Sequence, residues 1–239
     1  MSIASSPRAA ETEIMDRGGY DTREIRGNLA DLRFFNRWFG GSRIVAREVG
    51  KILRAGGPPP SRLTVLDVAS GSADVPAYLA RWGAARGIDL MAEGLDVNPD
   101  INEEARRYLA GAPGTVRLLR GDALQLPHAD RSIDITVCSN FLHHLDGAEA
   151  VRALREMSRV SRLGVVAVDL RRGALAFAGV WLLTRLTTRN RLTRHDGPLS
   201  VQRAFTPAEL VTSAAVAGLT GAVVRIDGPV RMILSWRRP

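Results

Sequence analysis

The chain has 239 residues, 45% of them hydrophobic and 24% charged, which suits one large α/β domain and excludes a disordered chain. Its single cysteine, Cys138, excludes an internal disulfide framework and fits a reducing cytoplasm. No apolar run reaches the roughly 20 residues that cross a bilayer, and the acidic N-terminal stretch lacks the apolar centre of a secretory signal. The expectation is a soluble, cytoplasmic protein, monomeric or a homodimer. The net charge of +8 comes almost wholly from arginine, Lys51 being the only lysine. It reads first as arginine bias, and second as attraction to nucleic acid, anionic lipid or an acidic substrate.

Residues 1–18 show no periodicity and read as a frayed tail. From Asp21 to Phe39, the residues Ile25, Leu29, Leu32, Phe35, Trp38 and Phe39 recur at helical spacing. Gly40-Gly41 ends that helix, and Ser42 is placed to cap a second one running to Leu53. Two amphipathic helices here suit a lid over a nucleotide-binding core, a layer packed on it, or both. Gly56-Gly57-Pro58-Pro59-Pro60 is a linker. It divides a tail and helical lid in 1–60 from a core in 61–239.

Leu63–Leu66 is the kind of apolar run that makes a strand buried on both faces. It breaks into Ala69-Ser70-Gly71-Ser72-Ala73 before a helix from Asp74 to about Ala85. Small side chains let a ligand approach the backbone, and the helix N-terminus offers unpaired N–H groups. A second strand begins at Asp89 and ends at Asp96, and helix Pro99–Leu109 follows. Further strands are expected at Thr115–Leu119, Ile133–Cys138 and Gly164–Leu170, with a helix at Glu149–Val160. Ser70/Gly71, Asp96, Asp122 and Asn140 thus fall in order at strand ends along one edge of a parallel sheet, where open α/β folds bind ligands.

The stretch Arg171–Arg194 has an apolar centre, Gly173–Leu186, flanked by Arg171, Arg172, Arg185, Arg189, Arg191 and Arg194. It reads as a helical insertion at about 171–200 that contacts a membrane surface, roofs an apolar acceptor, or packs on the core. Thr206-Pro207-Ala208-Glu209 opens helix Pro207–Ala217 with a capping box. Strands at about Ala222–Ile226 and Arg231–Trp236 close the chain.

Taken together, LDVASGSAD (66–74), GLDVNP (94–99), GDALQLP (121–127), IDITVCSNFLHHL (133–145) and LREMSRVSRLG (154–164) resemble a class I S-adenosylmethionine-dependent methyltransferase. The chain is most similar to the small-molecule and quinone-type group, from about Thr64 to Gly218. The resemblance implies a Rossmann-like, doubly wound seven-stranded α/β sheet, mostly parallel with an antiparallel C-terminal edge strand. It also implies S-adenosylmethionine as cofactor. The family's acid-x-Gly-x-Gly-x-Gly motif reads Asp67-Val68-Ala69-Ser70-Gly71-Ser72-Ala73 here, with two glycines replaced by alanine. By the same resemblance, Asp67 organises the loop around the methionine ammonium, while Ala69, Ser70 and Gly71 pass the cofactor. Asp96 takes the ribose hydroxyls with Val97 beside the adenine, and Asp122 accepts from the adenine amine next to the Ala123 N–H. Asn140 stands near the methionine portion, and Arg43 is the partner for its carboxylate.

Methyl transfer from a sulfonium is an in-line displacement for which the cofactor supplies the activated group. The protein's task is alignment and, for a phenol or enol oxygen, removal of a proton. His143, His144 and His195 are the candidate bases. Four histidines and one cysteine are too few to suggest a structural zinc site. The expected activity is O-methylation of an apolar phenolic or polyketide-like small molecule. C-methylation of a quinone precursor, RNA methylation and non-catalytic cofactor binding are the alternatives. Nucleic acid weighs least among acceptors, because Ser139-Asn140-Phe141-Leu142 stands where an Asn-Pro-Pro-Tyr-like tetrad would be.

Overall fold

The structure, a computed structural model, describes residues 7–57, 60–111 and 116–239. Seven strands form one sheet: β1 (Arg62–Val68), β2 (Asp89–Asp96), β3 (Val116–Arg120), β4 (Ile133–Ser139), β5 (Ser161–Leu170), β6 (Val223–Asp227) and β7 (Arg231–Arg237). Their order is β3-β2-β1-β4-β5-β7-β6. β1 to β5 pair in parallel, while β7 runs antiparallel to both β5 and β6. The C-terminal hairpin therefore places the antiparallel strand one position in from the edge, with β6 outermost. Central β4 is buried along nearly its whole length and edge β3 is not, which follows the apolar content of each run.

The helices are α1 (Ile14–Arg17), α2 (Thr22–Trp38), α3 (Gly41–Ala55), α4 (Asp74–Ala84), α5 (Pro99–Ala110), α6 (Gly147–Val160), α7 (Ala174–Thr187), α8 (Arg191–Arg203) and α9 (Pro207–Val216). On one face of the sheet, Leu154 and Met157 of α6 and Leu210 of α9 pack with Leu142 and Trp236. On the other, Val45 and Val49 of α3 and Leu79 of α4 pack with Leu63 and Ile135. Each such fully buried side chain stabilises by roughly 1.5–3 kcal/mol relative to exposure. Capping boxes set the starts of α2 (Asp21 with Glu24), α6 (Asp146 with Glu149) and α9 (Thr206 with Glu209).

Four expectations are corrected. Residues 7–18 are not frayed: Ile14 packs with Ile25, Leu29, Ile101 and Leu192, and the N–H groups of Ile14 and Met15 donate to the Asp196 carboxylate at 2.9 and 3.1 Å. Arg8 lies 3.8 Å over the Phe205 ring. Ser42 does not cap α3. Gly40, left-handed at φ +74°, holds the N-cap position, and the Ser42 hydroxyl turns to Asp74. His195 is not in a loop but inside α8, despite Pro198 in that helix. Proline removes the N–H that would meet the carbonyl of Arg194, and Arg185 Nη1 donates to that carbonyl instead at 2.9 Å. Arg172, expected in the basic flank, is buried between the Ala204 carbonyl (2.8 Å) and Glu209 (2.6 Å). Pro58 and Pro59 of the linker and Thr115 at the expected start of the third strand lie outside the described residues.

A Cβ at Gly164 would collide with the backbone oxygen of Trp236 across the β5–β7 pair. Gly164→Ala is expected to cost about 2–3 kcal/mol, read as a lower urea midpoint at an unchanged m-value. An unshifted midpoint would show that the two strands lie further apart.

Candidate active site

β1 ends at Val68, and the chain turns through residues 69–73 into α4. Ala69, Gly71 and Ala73 are all left-handed, at φ +56°, +53° and +58°. These are the three positions of the glycine motif, so the two alanines keep the backbone path the glycines would have taken. Each costs on the order of 1–2 kcal/mol against an unstrained conformation. Nothing lies within 4 Å of a Cβ built on Gly71, so the turn is open beside it. Asp96, at the end of β2, accepts the N–H groups of Gly71 and Asn98, each at 3.0 Å, which ties the turn to the neighbouring strand.

A cavity of about 390 Å³ opens over these strand ends, within the roughly 300–1,000 Å³ of small-molecule sites. Of the residues singled out in the sequence, Asp67, Ala69, Ser70, Gly71, Asp96, Val97, Asn140 and His144 line it. Also lining it are Met15, Asp16, Leu29, Leu32, Asn36, Asp74, Ile101, Ser139 and Phe141. The cavity is therefore acidic at the β1–α4 turn and apolar along α2 and Phe141.

Three carboxylates converge on the turn. Burial pushes Asp67 well above the usual carboxylate range, and Asp74 and Asp96 push it further. Among the described residues, Asp67 Oδ1 is buried without a hydrogen-bond partner, as are the hydroxyls of Ser70 and Ser139. Burial also raises Asp74 and Asp96, against the pull of their hydrogen bonds. Asp74 accepts from Asn36 Nδ2 at 3.1 Å and Ser72 Oγ at 3.2 Å. Unpartnered buried oxygens in a patch of like charge fit a cationic ligand with several donors. The ammonium and hydroxyl groups of S-adenosylmethionine meet that description.

The two adjacent histidines part company. His143 is buried outside the cavity wall, its Nδ1 donating to Asp169 Oδ1 at 2.5 Å and its N–H to Asp169 Oδ2 at 3.0 Å. His144 lines the cavity, 2.7 Å from Asp16 through Nδ1. Burial alone would lower its pKa, but Glu13 and Asp16 outweigh that and raise it to about 9. At neutral pH His144 is an imidazolium and holds no lone pair for a proton. His195 pairs with Asp196 on α8, away from the cavity. Glu13, His143 and His144 bring ligand atoms within 4.8 Å of one another. Each already holds a protein partner, Ser200 serving Glu13 at 2.8 Å, so hydrogen bonding accounts for the cluster.

Three expected residues stand elsewhere. Arg43 is exposed and donates to the Arg37 carbonyl at 3.3 Å, so no methionine carboxylate role follows from its position. Asp122 and Ala123 do not line the cavity; Asp122 accepts the Leu124 N–H at 2.8 Å in a local turn. Of the residues missed, Asn36 left a signal, a polar position on the Leu29–Leu32 face of α2. Asp74 lay in view as the first helical residue after the turn. Met15 and Asp16 left none, since α1 is one turn long.

Residues 65–164 match a family described as a methyltransferase domain. The chain is 36% identical over 116 residues to an uncharacterized methyltransferase of Mycobacterium marinum, covering 48% of this chain and 42% of that protein. It is 32% identical over 110 residues to a demethylmenaquinone methyltransferase of Desulfitobacterium hafniense, covering 45% and 42%. The matches thus span less than half the length of these relatives. A SAM-dependent methyltransferase of Aquifex aeolicus shares the fold at TM-score 0.57 and 18% identity, over 91% of this chain and 98% of that one.

Two outcomes are expected. The Asp67 pKa is raised on folding, so this group's contribution to stability is full below its ordinary value of 3.8 and is lost as pH rises through the folded value. Asp67→Asn should raise the melting temperature of the ligand-free protein at pH 7 by a few degrees. It should also weaken S-adenosylmethionine binding roughly 30-fold or more by calorimetry; unchanged affinity would remove Asp67 from the ligand site. His144 is also raised, but as a cationic group its contribution is full below about 6.5 and lost as pH climbs through about 9. His144→Gln should flatten the stability profile across that window, by an amount on the order of 3 kcal/mol, in melts recorded against pH.

Proposed function

We propose, from the match of residues 65–164 to a family described as a methyltransferase domain, that this chain is an S-adenosylmethionine-dependent methyltransferase acting on an apolar, hydroxylated aromatic small molecule of the phenol or quinol type. The observation that carries the reading is the buried Asp67 carboxyl, whose Oδ1 has no hydrogen-bond partner among the described residues, beside buried Asp96 and half-buried Asp74 in a cavity with an apolar side along Leu29, Leu32 and Phe141. When bound, the cofactor supplies an electrophilic methyl group on a sulfonium. Asp67 and Asp74 are the groups for its ammonium, Asp96 for its sugar hydroxyls and Val97 for one face of its adenine. Burial holds Asp67 well above the usual carboxylate range, so an arriving cation favours its ionised form and binding releases a proton.

Met15, Leu29, Leu32 and Phe141 supply the apolar wall for the acceptor, beside the Asp16–His144 pair. Transfer to oxygen, the first reading from sequence, requires a group to take the phenolic proton. Neither member of the pair suits that role at neutral pH. His144 is already protonated, and although burial opposes it, the bond to His144 holds Asp16 below its usual range. Transfer to a ring carbon needs no such base, because the hydroxylated ring is itself the electron source and its proton leaves afterwards to solvent. A demethylmenaquinone methyltransferase among the relatives supports the same quinol-type reading.

The test supplies methyl-labelled cofactor with a panel of alkylated phenols and quinols, then treats the extracted product with an ether-cleaving acid. Label that stays on the ring is the expected result and marks carbon transfer; label released as methyl halide would restore O-methylation. If no acceptor of the panel is labelled while the cofactor still binds, the acceptor class proposed here is wrong. Label retained in a nuclease-sensitive fraction would redirect the search to RNA.

A further inference from the structure

We propose that α7, with the aromatic end of α2, docks this protein on an anionic phospholipid surface. α7 is apolar yet scarcely buried: among its residues only Ala176 and Thr184 are buried. Leu175, Leu182 and Leu186 follow one another at helical spacing and are 74%, 51% and 75% exposed, with Trp181 beside them at 44%. α7 packs on α8 by its other side, where Gly197 lets Thr184 approach closely. A stripe of large apolar side chains with no covering element marks an interaction surface. No helix among the described residues is long and apolar enough to cross a membrane, so α7 would lie in the interface plane.

The surroundings commit the surface to an anionic partner. No acidic residue occurs between Arg171 and His195. A recess beside the end of α7 is lined by Arg23, Arg26, Arg189 and Arg191, with Glu24 as its one acidic residue. Glu104 holds Arg26 and Glu24 holds Arg191, whereas Arg23, Arg185 and Arg189 make no salt bridge among the described residues. Trp181 carries the Arg185 guanidinium 5.0 Å above its ring, an arrangement that suits the headgroup level. α2 continues the surface. Thr188, just past α7, donates to Asp31 of α2 at 2.6 Å. At the other end, Arg231 donates to the Phe39 carbonyl, and Arg171 to that of Pro229 in the same turn. Between those ties α2 exposes Phe34 and Trp38. A second copy of this chain is a poor occupant, because two such basic faces repel.

The inference goes beyond the methyl-transfer reading and its test uses no turnover, so either can fail without the other. The full chain is sedimented with mixed phosphatidylglycerol–phosphatidylcholine vesicles and with phosphatidylcholine alone. Binding is expected to the anionic vesicles and to weaken as salt rises. Arg23→Gln with Arg189→Gln should reduce partitioning roughly tenfold or more, and Leu182→Ser with Leu186→Ser by a similar factor. An unchanged thermal shift with S-adenosylhomocysteine keeps loss of folding apart from loss of docking. Absence of binding, equal binding to neutral vesicles, or binding indifferent to both pairs would overturn the proposal. So would a dimer in sedimentation velocity that the leucine pair dissolves, which would give the face to a second copy.

Discussion

Burying a carboxyl group without a partner disfavours its ionised form and drives its pKa up, and the site of this protein is arranged around one such group, Asp67. Asp67 ends up there because β1 is central: β2 and β4 flank it, and α3 and α4 cover one of its faces. The next residues must then turn away from the sheet within five positions while leaving the carboxyl facing the cavity. They do so through three left-handed residues, two of them alanine. Asp96 braces that turn from β2, and Asn36 and Ser72 hold Asp74 from α2 and from the turn itself. These contacts position the three carboxyl groups without placing a positive charge beside them. That leaves the ligand-free site electrostatically unfavourable and gives a cation the largest gain.

The N-terminal segment closes the other side by the opposite strategy, with charges paired. His144 meets Asp16, and the two carbonyls of the His143–His144 pair accept from Arg203 at 3.1 and 2.7 Å. Arg8 donates to the Leu145 carbonyl at 2.7 Å. The short turn after β4 is therefore held by two arginines from distant parts of the chain. The histidine that resembles a base is protonated by the same acidic contacts that place it. Geometry and protonation have a common cause here, which is why adjacency to the cavity is a poor guide to the histidine's role.

The arginine excess divides along similar lines. Arg159 is structural, meeting the carbonyls of Leu126 and His128 together with Glu156 and Asp130, and Arg172 and Arg203 are buried. Others, such as Arg23 and Arg189, make no salt bridge among the described residues and lie at the recess beside the end of α7. One composition figure covers both populations, and only burial and partners separate them.

What the sequence determined by itself was the sheet and the strand-end edge. Buried parallel strands read as continuous apolar runs, capping boxes are local, and ligands of such folds gather where strands end. Asp67, Gly71, Asp96 and Asn140 were legible for that reason. Tertiary structure alone decided the rest. Residues 7–18 lack periodicity, yet pack because α2, α5 and α8 offer them a shared apolar cluster and Asp196 offers their N–H groups a partner. Pro198 argued for a loop, and α8 forms because Arg185 satisfies the carbonyl the proline leaves open. His144 acquired its charge, and Arg43 its distance from the cavity, from contacts made by residues far away in the chain. Local pattern specifies local conformation; which groups are buried together, and hence their charge, depends on the fold.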